Sequence, residues 1–424
     1  MKKILLFGAG KSATCLLDYL SRVVEEQHWY ITVADADLSL LQKKLTPSEY
    51  VHVLSFDVRH DERRSALIAQ ADLVISLLPP FLHILIARDC VRLCKHLLTA
   101  SYADDSIRVL RPGIEANNLL FLCEMGLDPG IDHMSAMLLI DRIRQEGGSI
   151  RSFRSHTGGL VAPESDNNPW HYKVSWNPAN VVRAGSSGAV YLENRRVREI
   201  GYAEIFEDPH MVKVGNHGVW AWYPNRDSLS YIPVYGLESA ETFLRTTLRH
   251  PAFCEGWNFL VKAGLTRDDD KTGAQIKTFR DWSRPIEPFL NTVNLDRYTR
   301  LGLFDDLPLP AAGLSSARIL QYLIETRWKM NESDRDMILM LHEIDYELNG
   351  TAFFLKSSLM VKGENALRTA MAKTVGLPLG IAARLILEEK INVRGLQIPI
   401  IPEIYLPVLE ELSKEGILFQ EEIS

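Results

Sequence analysis

The stretch Lys3-Ile4-Leu5-Leu6-Phe7-Gly8-Ala9-Gly10-Lys11-Ser12-Ala13 decides the fold. An apolar run ends on two glycines one residue apart and passes at once into a helix-compatible sequence, so it reads as strand, tight turn and helix start. Gly8 permits the turn, Gly10 lets a ligand approach the backbone, and Ala13 is small enough for the helix to pack closely. Unpaired N–H groups and the helix dipole at such a turn favour negative charge, which suits the pyrophosphate of a dinucleotide. Gly8, Gly10, Lys11, Ser12 and Ala13 are therefore candidate cofactor-binding residues.

Outward from this turn, strands and helices alternate. A helix over about 11–26 is followed by a strand at 30–34, a helix at about 37–45, a strand at 51–56 and a helix at about 60–70. Leu73 to Leu78 is a fourth strand, a short apolar run broken only by Ser76 and bounded by Asp72 and Pro79-Pro80, as suits a strand buried on both faces. A helix at about 82–95, a strand at 97–100, a helix at about 105–117 and a strand at 119–122 complete six strands of a doubly wound, Rossmann-type α/β sheet. The second strand ends at Asp35, where a carboxylate accepts hydrogen bonds from ribose hydroxyls and repels a 2′-phosphate. NAD is thus expected over NADP, the alternative role for Asp35 being a cap on the next helix, with Asp37 as another such cap. Ser76 and Leu77, at the end of the fourth strand, lie where such sheets pass backbone along the cofactor.

Beyond Gly126 the composition shifts, with Gly, Trp, Asn and Pro clustered between about 156 and 188 and strand-like runs such as Arg151 to His156. This reads as a second α/β domain with a mixed sheet, spanning 126–252 and 336–369, for substrate binding and dimerisation. The segment 253–335 reads as a small helical insertion, with Asp268-Asp269-Asp270 as a solvated loop. Asn349-Gly350 between two strand-like runs over 336–362 predicts a tight hairpin. An amphipathic helix from Thr374 to Glu389, with Gly376 and Pro378 at its start, an extended segment and a helix at about 403–415 follow. The stretch over about 370–424 is expected to return to the first domain, residues 1–125.

The chain has 424 residues, enough for two or three domains, with 46% hydrophobic and 24% charged residues. A net charge of -7 gives no basic face for nucleic acid, and no apolar run reaches the ~18 residues of a membrane span. Met1-Lys2-Lys3 before an apolar run mimics a signal peptide, but the glycines that follow argue for a first strand in a cytoplasmic protein. The five cysteines, Cys15, Cys90, Cys94, Cys123 and Cys254, form no disulfide framework. Cys90 and Cys94, near His83 and His96, read as small buried side chains on one helical face, and no metal site is expected.

Glu124-Met125-Gly126-Leu127-Asp128-Pro129-Gly130-Ile131-Asp132-His133 follows the sixth strand and combines turn residues, carboxylates and a histidine before a helix, at the sheet edge where a nicotinamide would lie. Here the sequence resembles saccharopine dehydrogenase of the glutamate-forming type, also called saccharopine reductase. The likeness is carried by Thr99 to Tyr102, Gly126 to His133, Gly158-Gly159-Leu160 with Ala162-Pro163-Glu164, Tyr172 to Trp176, Tyr223 to Ser228, Thr247-Leu248-Arg249 and Thr374 to Pro378.

The resemblance implies oxidation of saccharopine to L-glutamate and 2-aminoadipate 6-semialdehyde, or the reverse, in lysine metabolism, by a homodimer. It implies a saccharopine site lined by Ser101, Tyr102, Asp128, Gly158, Arg226, Thr247 and Arg249, with Leu127, Gly130 and Ser175 near the cofactor. Saccharopine carries three carboxylates, so guanidinium groups such as Arg226 and Arg249 are expected partners, with Arg245 in reserve. Asp128, Tyr102 and His133 are the candidate proton carriers. The family commonly has cysteine where this chain has Thr157, a far weaker acid that still hydrogen-bonds a carboxylate. Thr246, where the family often has glycine, is expected to narrow the pocket. Two other readings stand beside this one: an imine reductase like carboxynorspermidine dehydrogenase, and a non-catalytic NAD-binding sensor.

Overall fold

The computed structural model describes residues 1–424 except 43, 46, 47 and 274, and except the side chains of 38, 40 and 292–294. The chain forms two units, Met1–Arg142 with Leu367–Leu418, and Ile143–Ala366 with Phe419–Ser424.

In the first unit, β1 (Lys3–Phe7), β2 (Tyr30–Asp35), β3 (Val51–Ser55), β4 (Leu73–Ser76), β5 (His96–Thr99) and β6 (Leu120–Leu122) pair in parallel in the order β6-β5-β4-β1-β2-β3. The order reverses between β1 and β4, the position at which sheets of this kind take ligands beyond the carboxyl ends of their strands. A seventh strand, Gly395–Gln397, adds in parallel beside β6 from the segment expected only to be extended; three residues are too few to carry a periodic signal. The helix expected over about 37–45 is described as Leu38–Gln42, and residue 43 lies outside the described residues. The helix expected over about 105–117 is two, Asp105–Arg108 and Arg111–Ala116, because Pro112 has no N–H to continue a helical ladder and sits in the first turn of the second.

The helix expected from Thr374 differs most from expectation. It runs Ala370–Leu387, capped by the Thr369 hydroxyl, with Pro378 inside it, and it is buried on almost every face instead of amphipathic. By length and composition it could cross a membrane, yet it is 83% buried in the protein. It packs backbone-close on the helix Thr14–Gln27: a Cβ on Gly376 would stand 2.8 Å from the Leu16 nitrogen, and one on Gly380 2.7 Å from the Tyr19 ring. Cys90 is buried as expected, whereas Cys94 is exposed and left-handed, past the end of the helix His83–Arg92, so the two do not share a helical face.

The second unit is built on a mixed sheet. Its strands are β7 (Ser149–Val161), β8 (Ala189–Glu193), β9 (Arg196–Ile200), β10 (His210–Lys213), β11 (Val219–Pro224), β12 (Arg226–Asp227), β13 (Thr242–Arg249), β14 (Asp336–Leu348) and β15 (Thr351–Lys362). The order is β10-β11-β13-β7-β14-β15, closed by Phe419–Ile423, with β8 beside β13 and β12 and β9 beside β8. Asn349 and Gly350 both adopt positive φ, +53° and +78°, as the tight turn between β14 and β15 demands. The helical stretch after β13 shares one core with the sheet: Trp170, Phe253, Trp257 and Trp328 interlock there with Tyr172 and Tyr223. Its acidic run is not merely solvated, since Asp270 accepts from the Ser316 N–H and hydroxyl at 2.9 and 2.6 Å, and Asp268 from the Ser315 hydroxyl at 2.7 Å.

The helix-to-helix contact at Gly376 yields a direct expectation. Gly376→Val should destabilise the first unit by about 1–3 kcal/mol through overpacking, read as a lower denaturant midpoint, and an unchanged midpoint would show that the contact is loose.

Candidate functional site

The glycine turn is held by its neighbours. Gly8 has φ +92°, donates to the Ala34 carbonyl at 3.0 Å, and lies so close to β4 that a Cβ would stand 2.8 Å from the Leu77 carbonyl oxygen. Gly10 is exposed, with nothing within 4 Å of where its Cβ would be, so the turn presents open backbone. Lys11 to Ala13 make one helical turn leading into Thr14–Gln27, with Ala13 buried and Lys11 and Ser12 reaching the surface. These residues fit a dinucleotide pyrophosphate.

Asp35 is drawn toward this turn. Its carboxylate accepts from the Ala9 N–H at 2.6 Å and the Asp37 N–H at 2.8 Å, while Asp37 accepts from the Ser39 N–H and hydroxyl at the next helix. The capping task therefore falls to Asp37, and Asp35 ties the end of β2 to the glycine turn. Lys44, which the sequence did not single out, is buried beneath the same turn and donates from Nζ to the Ala9 and Gly10 carbonyls at 2.7 and 2.5 Å. Burial pulls its pKa down to about 8, with Asp35 opposing.

At the ends of β4 and β5, Ser76 is fully buried and Ser101 half-buried, and His83 stands between their hydroxyls. Ser101 is fixed further by its N–H to Thr99 Oγ1 at 3.2 Å and its carbonyl to the Glu124 N–H at 3.0 Å. Leu77 and Tyr102 are also half-buried at these strand ends.

After β6 the chain makes a narrow loop. Gly126 donates to the Pro129 carbonyl at 3.0 Å, Ile131 donates to the Gly126 carbonyl at 2.9 Å, and a Cβ on Gly130 would overlap Gly126 at 2.1 Å. This loop presents Asp128, half-buried, while Leu127 is 5% exposed and Asp132 turns inward to accept from the Gly130 N–H at 2.6 Å. His133 has no exposure at all. Its Nε2 lies 2.9 Å from Glu124 Oε2, and the other Glu124 oxygen accepts from the Ala103 N–H at 3.1 Å. Glu124 belonged to the segment read from sequence but was given no task; here it ties the segments after β5 and β6 together.

In the second unit the alternation of β-strand side chains sorts the candidates. Thr157 of β7 pairs with Thr247 of β13, which pairs with Tyr223 of β11, and Arg249 lies two residues on. Thr157, Thr247, Tyr223 and Arg249 thus share one face. Thr246 is on the other, buried with Oγ1 2.7 Å from His156 Nδ1, so it does not narrow a pocket lined by Thr247. Gly158 is there for clearance: a Cβ would meet the Leu248 carbonyl oxygen at 2.7 Å.

Arg249 is the feature of this face that stands out. Its guanidinium is 4% exposed, lies 5.3 and 5.6 Å over the Tyr172 and Phe253 rings, and donates from Nη1 only to the Leu248 carbonyl at 2.8 Å. Its Nε has no partner, and no carboxylate pairs with it among the described residues. Burial pushes the neighbouring Tyr223 up to about 12, so that hydroxyl keeps its proton. Arg226 is exposed and left-handed, φ +50°, on β12, and Asp227 is occupied with the Leu229 and Ser230 N–H groups. Arg245 is buried against the Tyr231 ring at 4.4 Å. Ser175 is buried in a segment pinned by the Lys173 to Asp334 ion pair at 2.6 Å, away from β7 and β13 in the chain.

Known proteins resemble this chain in sequence and in fold. Residues 4–121 match the family model of the saccharopine dehydrogenase NADP binding domain, and residues 126–417 that of the saccharopine dehydrogenase C-terminal domain. Saccharopine dehydrogenase (NADP(+), L-glutamate-forming) of Saccharomyces cerevisiae is 31% identical over 447 residues, which cover 99% of this chain and 99% of that protein. Alpha-aminoadipic semialdehyde synthase of Arabidopsis thaliana is 33% identical, over 99% of this chain and 44% of its own length, so the chain spans less than half of that relative. The apo structure of the L-Glu-forming saccharopine dehydrogenase from Saccharomyces cerevisiae superposes with a TM-score of 0.88 at 29% identity, each chain covered to 100%. A homospermidine synthase from Legionella pneumophila, TM-score 0.60 at 9% identity, shares the fold alone. With two matched domains in chain order and a relative aligned end to end, the chain belongs to the saccharopine dehydrogenase family.

Proposed function

We propose that the chain interconverts saccharopine with L-glutamate and 2-aminoadipate 6-semialdehyde, using a nicotinamide dinucleotide, as a step of lysine metabolism. The observation that carries this reading is the buried guanidinium of Arg249, which has no carboxylate partner among the described residues. A cation kept from water without a counter-charge is costly, and an anionic ligand offsets that cost. Saccharopine brings three carboxylates, and Thr157, Thr247 and Tyr223 offer hydroxyls on the same sheet face. A substrate with a cationic diamine tail would meet the wrong charge at Arg249.

The bound dinucleotide supplies a two-electron acceptor. In the oxidative direction the secondary amine of saccharopine must be neutral, and the carbon beside it loses hydrogen to give an iminium. Water then adds to that carbon, and its C–N bond breaks to leave the aldehyde and the amine of glutamate. Asp128, presented on its glycine loop, is suited to orient the amine and to stabilise the positive charge that develops. Asp128 or Tyr102 carries the proton of the hydration step. His133, sealed from solvent on Glu124, is assigned to holding the loop in place. Thr157 is assigned a hydrogen bond to a substrate carboxylate and no acid role. On the family resemblance alone we propose a homodimer as the working assembly.

NAD is proposed as the preferred cofactor, although the matched domain and the yeast relative are named for NADP. The support is Asp35, whose carboxylate closes the end of β2 where a 2′-phosphate would need a cation.

Two expectations follow from these residues. Saccharopine with NAD should produce reduced nicotinamide, followed by its absorbance, with kcat/KM at least about tenfold above that for NADP, and Asp35→Ser should narrow the ratio; faster turnover with NADP rejects the cofactor choice, and no turnover with either rejects the activity. Arg249→Met should lower kcat/KM for saccharopine by about a hundredfold or more, yet leave the ligand-free protein equally stable or more stable by about 1–2 kcal/mol, because a costly buried charge is removed. Retained turnover with marked destabilisation would instead make Arg249 a purely structural residue.

A further inference from the structure

A chain of side-chain hydrogen bonds crosses the carboxyl ends of β4 and β5. Ser76 Oγ lies 2.7 Å from His83 Nδ1, and His83 Nε2 lies 2.8 Å from Ser101 Oγ. His83 opens the helix His83–Arg92 and is 5% exposed, Ser76 has no exposure, and Ser101 alone of the three reaches partly to the surface. Burial pushes the His83 pKa down to about 4, with Asp104 pulling the other way, so the ring is neutral near neutral pH. A neutral imidazole has one N–H and one bare nitrogen, so one serine donates to the ring and the other accepts from it.

The buried end decides which. Among the described residues the Ser76 hydroxyl has a hydrogen bond to His83 and to no other group. If Nδ1 carried the proton, the Ser76 O–H would be a buried donor without an acceptor, at a cost of about 1–3 kcal/mol. The Ser76 hydroxyl therefore donates to Nδ1, the ring proton sits on Nε2, and Nε2 donates to Ser101. The oxygen of Ser101 is then occupied as an acceptor, and its own proton is free to point outward.

We propose that His83 is a positioning residue that turns Ser101 into a hydrogen-bond donor toward a carboxylate of the substrate. The substrate part of this inference rests on the saccharopine reading above; the tautomer does not. With the donor preset, an anionic oxygen at Ser101 meets an O–H, and no hydroxyl has to be reoriented on binding.

The test joins a spectroscopic measurement to kinetics. Nitrogen NMR of the full-length protein labelled at histidine should find His83 protonated on Nε2, and Ser76→Ala should shift it toward a mixture of tautomers. His83→Phe, which keeps a ring in the space, should raise KM for saccharopine about tenfold, leave the NADH dissociation constant measured by fluorescence within about twofold, and add little to the effect of Ser101→Ala in the double variant. If His83→Phe fails to fold, Ser76→Ala serves instead, with a smaller rise in the same KM. A proton found on Nδ1 overturns the positioning role whatever the substrate. So does an unchanged KM, or a penalty for His83→Phe that persists undiminished without the Ser101 hydroxyl. Absence of saccharopine turnover in the unaltered protein overturns the activity, and the NMR result then still decides the tautomer.

Discussion

A guanidinium taken out of water must be met by a charge or by strongly polar partners, and among the described residues Arg249 has only a neighbouring carbonyl and the faces of Tyr172 and Phe253. The second unit keeps it there at a cost that the fold alone does not return. The aromatic core that holds those two rings also joins the helices after β13 to the sheet, so the geometry of the cation depends on packing that reaches well beyond it. Strand alternation then fixes its company. Thr157, Tyr223 and Thr247 are on its face of the sheet, and the absence of a side chain at Gly158 lets β7 lie close beside Leu248. The result is a buried cation with three hydroxyl groups on its own face of the sheet.

The first unit solves a different problem, that of presenting backbone and small polar groups at the carboxyl ends of parallel strands. Each strand end uses its own device. The left-handed Gly8 brings the turn against Leu77, while the Asp35 carboxylate holds its Ala9 N–H and the Lys44 amine its Ala9 and Gly10 carbonyls. The Ser76, His83 and Ser101 chain spans β4 and β5, and the Gly126 to Gly130 loop holds Asp128 with Glu124 and His133 buried behind it. The buried groups are those whose job is geometry, and the half-exposed ones, Ser101, Tyr102 and Asp128, are those suited to touch a ligand.

Much of this was legible in the sequence, for identifiable reasons. The glycine turn and the alternating apolar runs of β1 to β6 are local patterns, and local patterns survive without knowledge of the fold. So is the Asn349-Gly350 hairpin. What escaped are features that arise from distant pairings. The helix Ala370–Leu387 reads as amphipathic only if one of its sides is left wet, and nothing near Pro378 tells that Leu16 and Tyr19 will cover it. The exposed Arg226 and the buried Arg249 look alike in sequence; burial distinguishes them. Nothing local to Thr246 reveals the strand register that turns it toward His156. The serines that His83 bridges lie at the ends of separate strands, 7 and 18 residues away in the chain, so no local pattern links the three.

The most direct test of this account is a crystal structure of the protein with NADH and saccharopine. A saccharopine carboxylate is expected within hydrogen-bond distance of Arg249 Nε, which has no partner among the described residues of the ligand-free protein. Saccharopine bound with all its carboxylates away from Arg249, and Nε still facing only the aromatic rings, would contradict it.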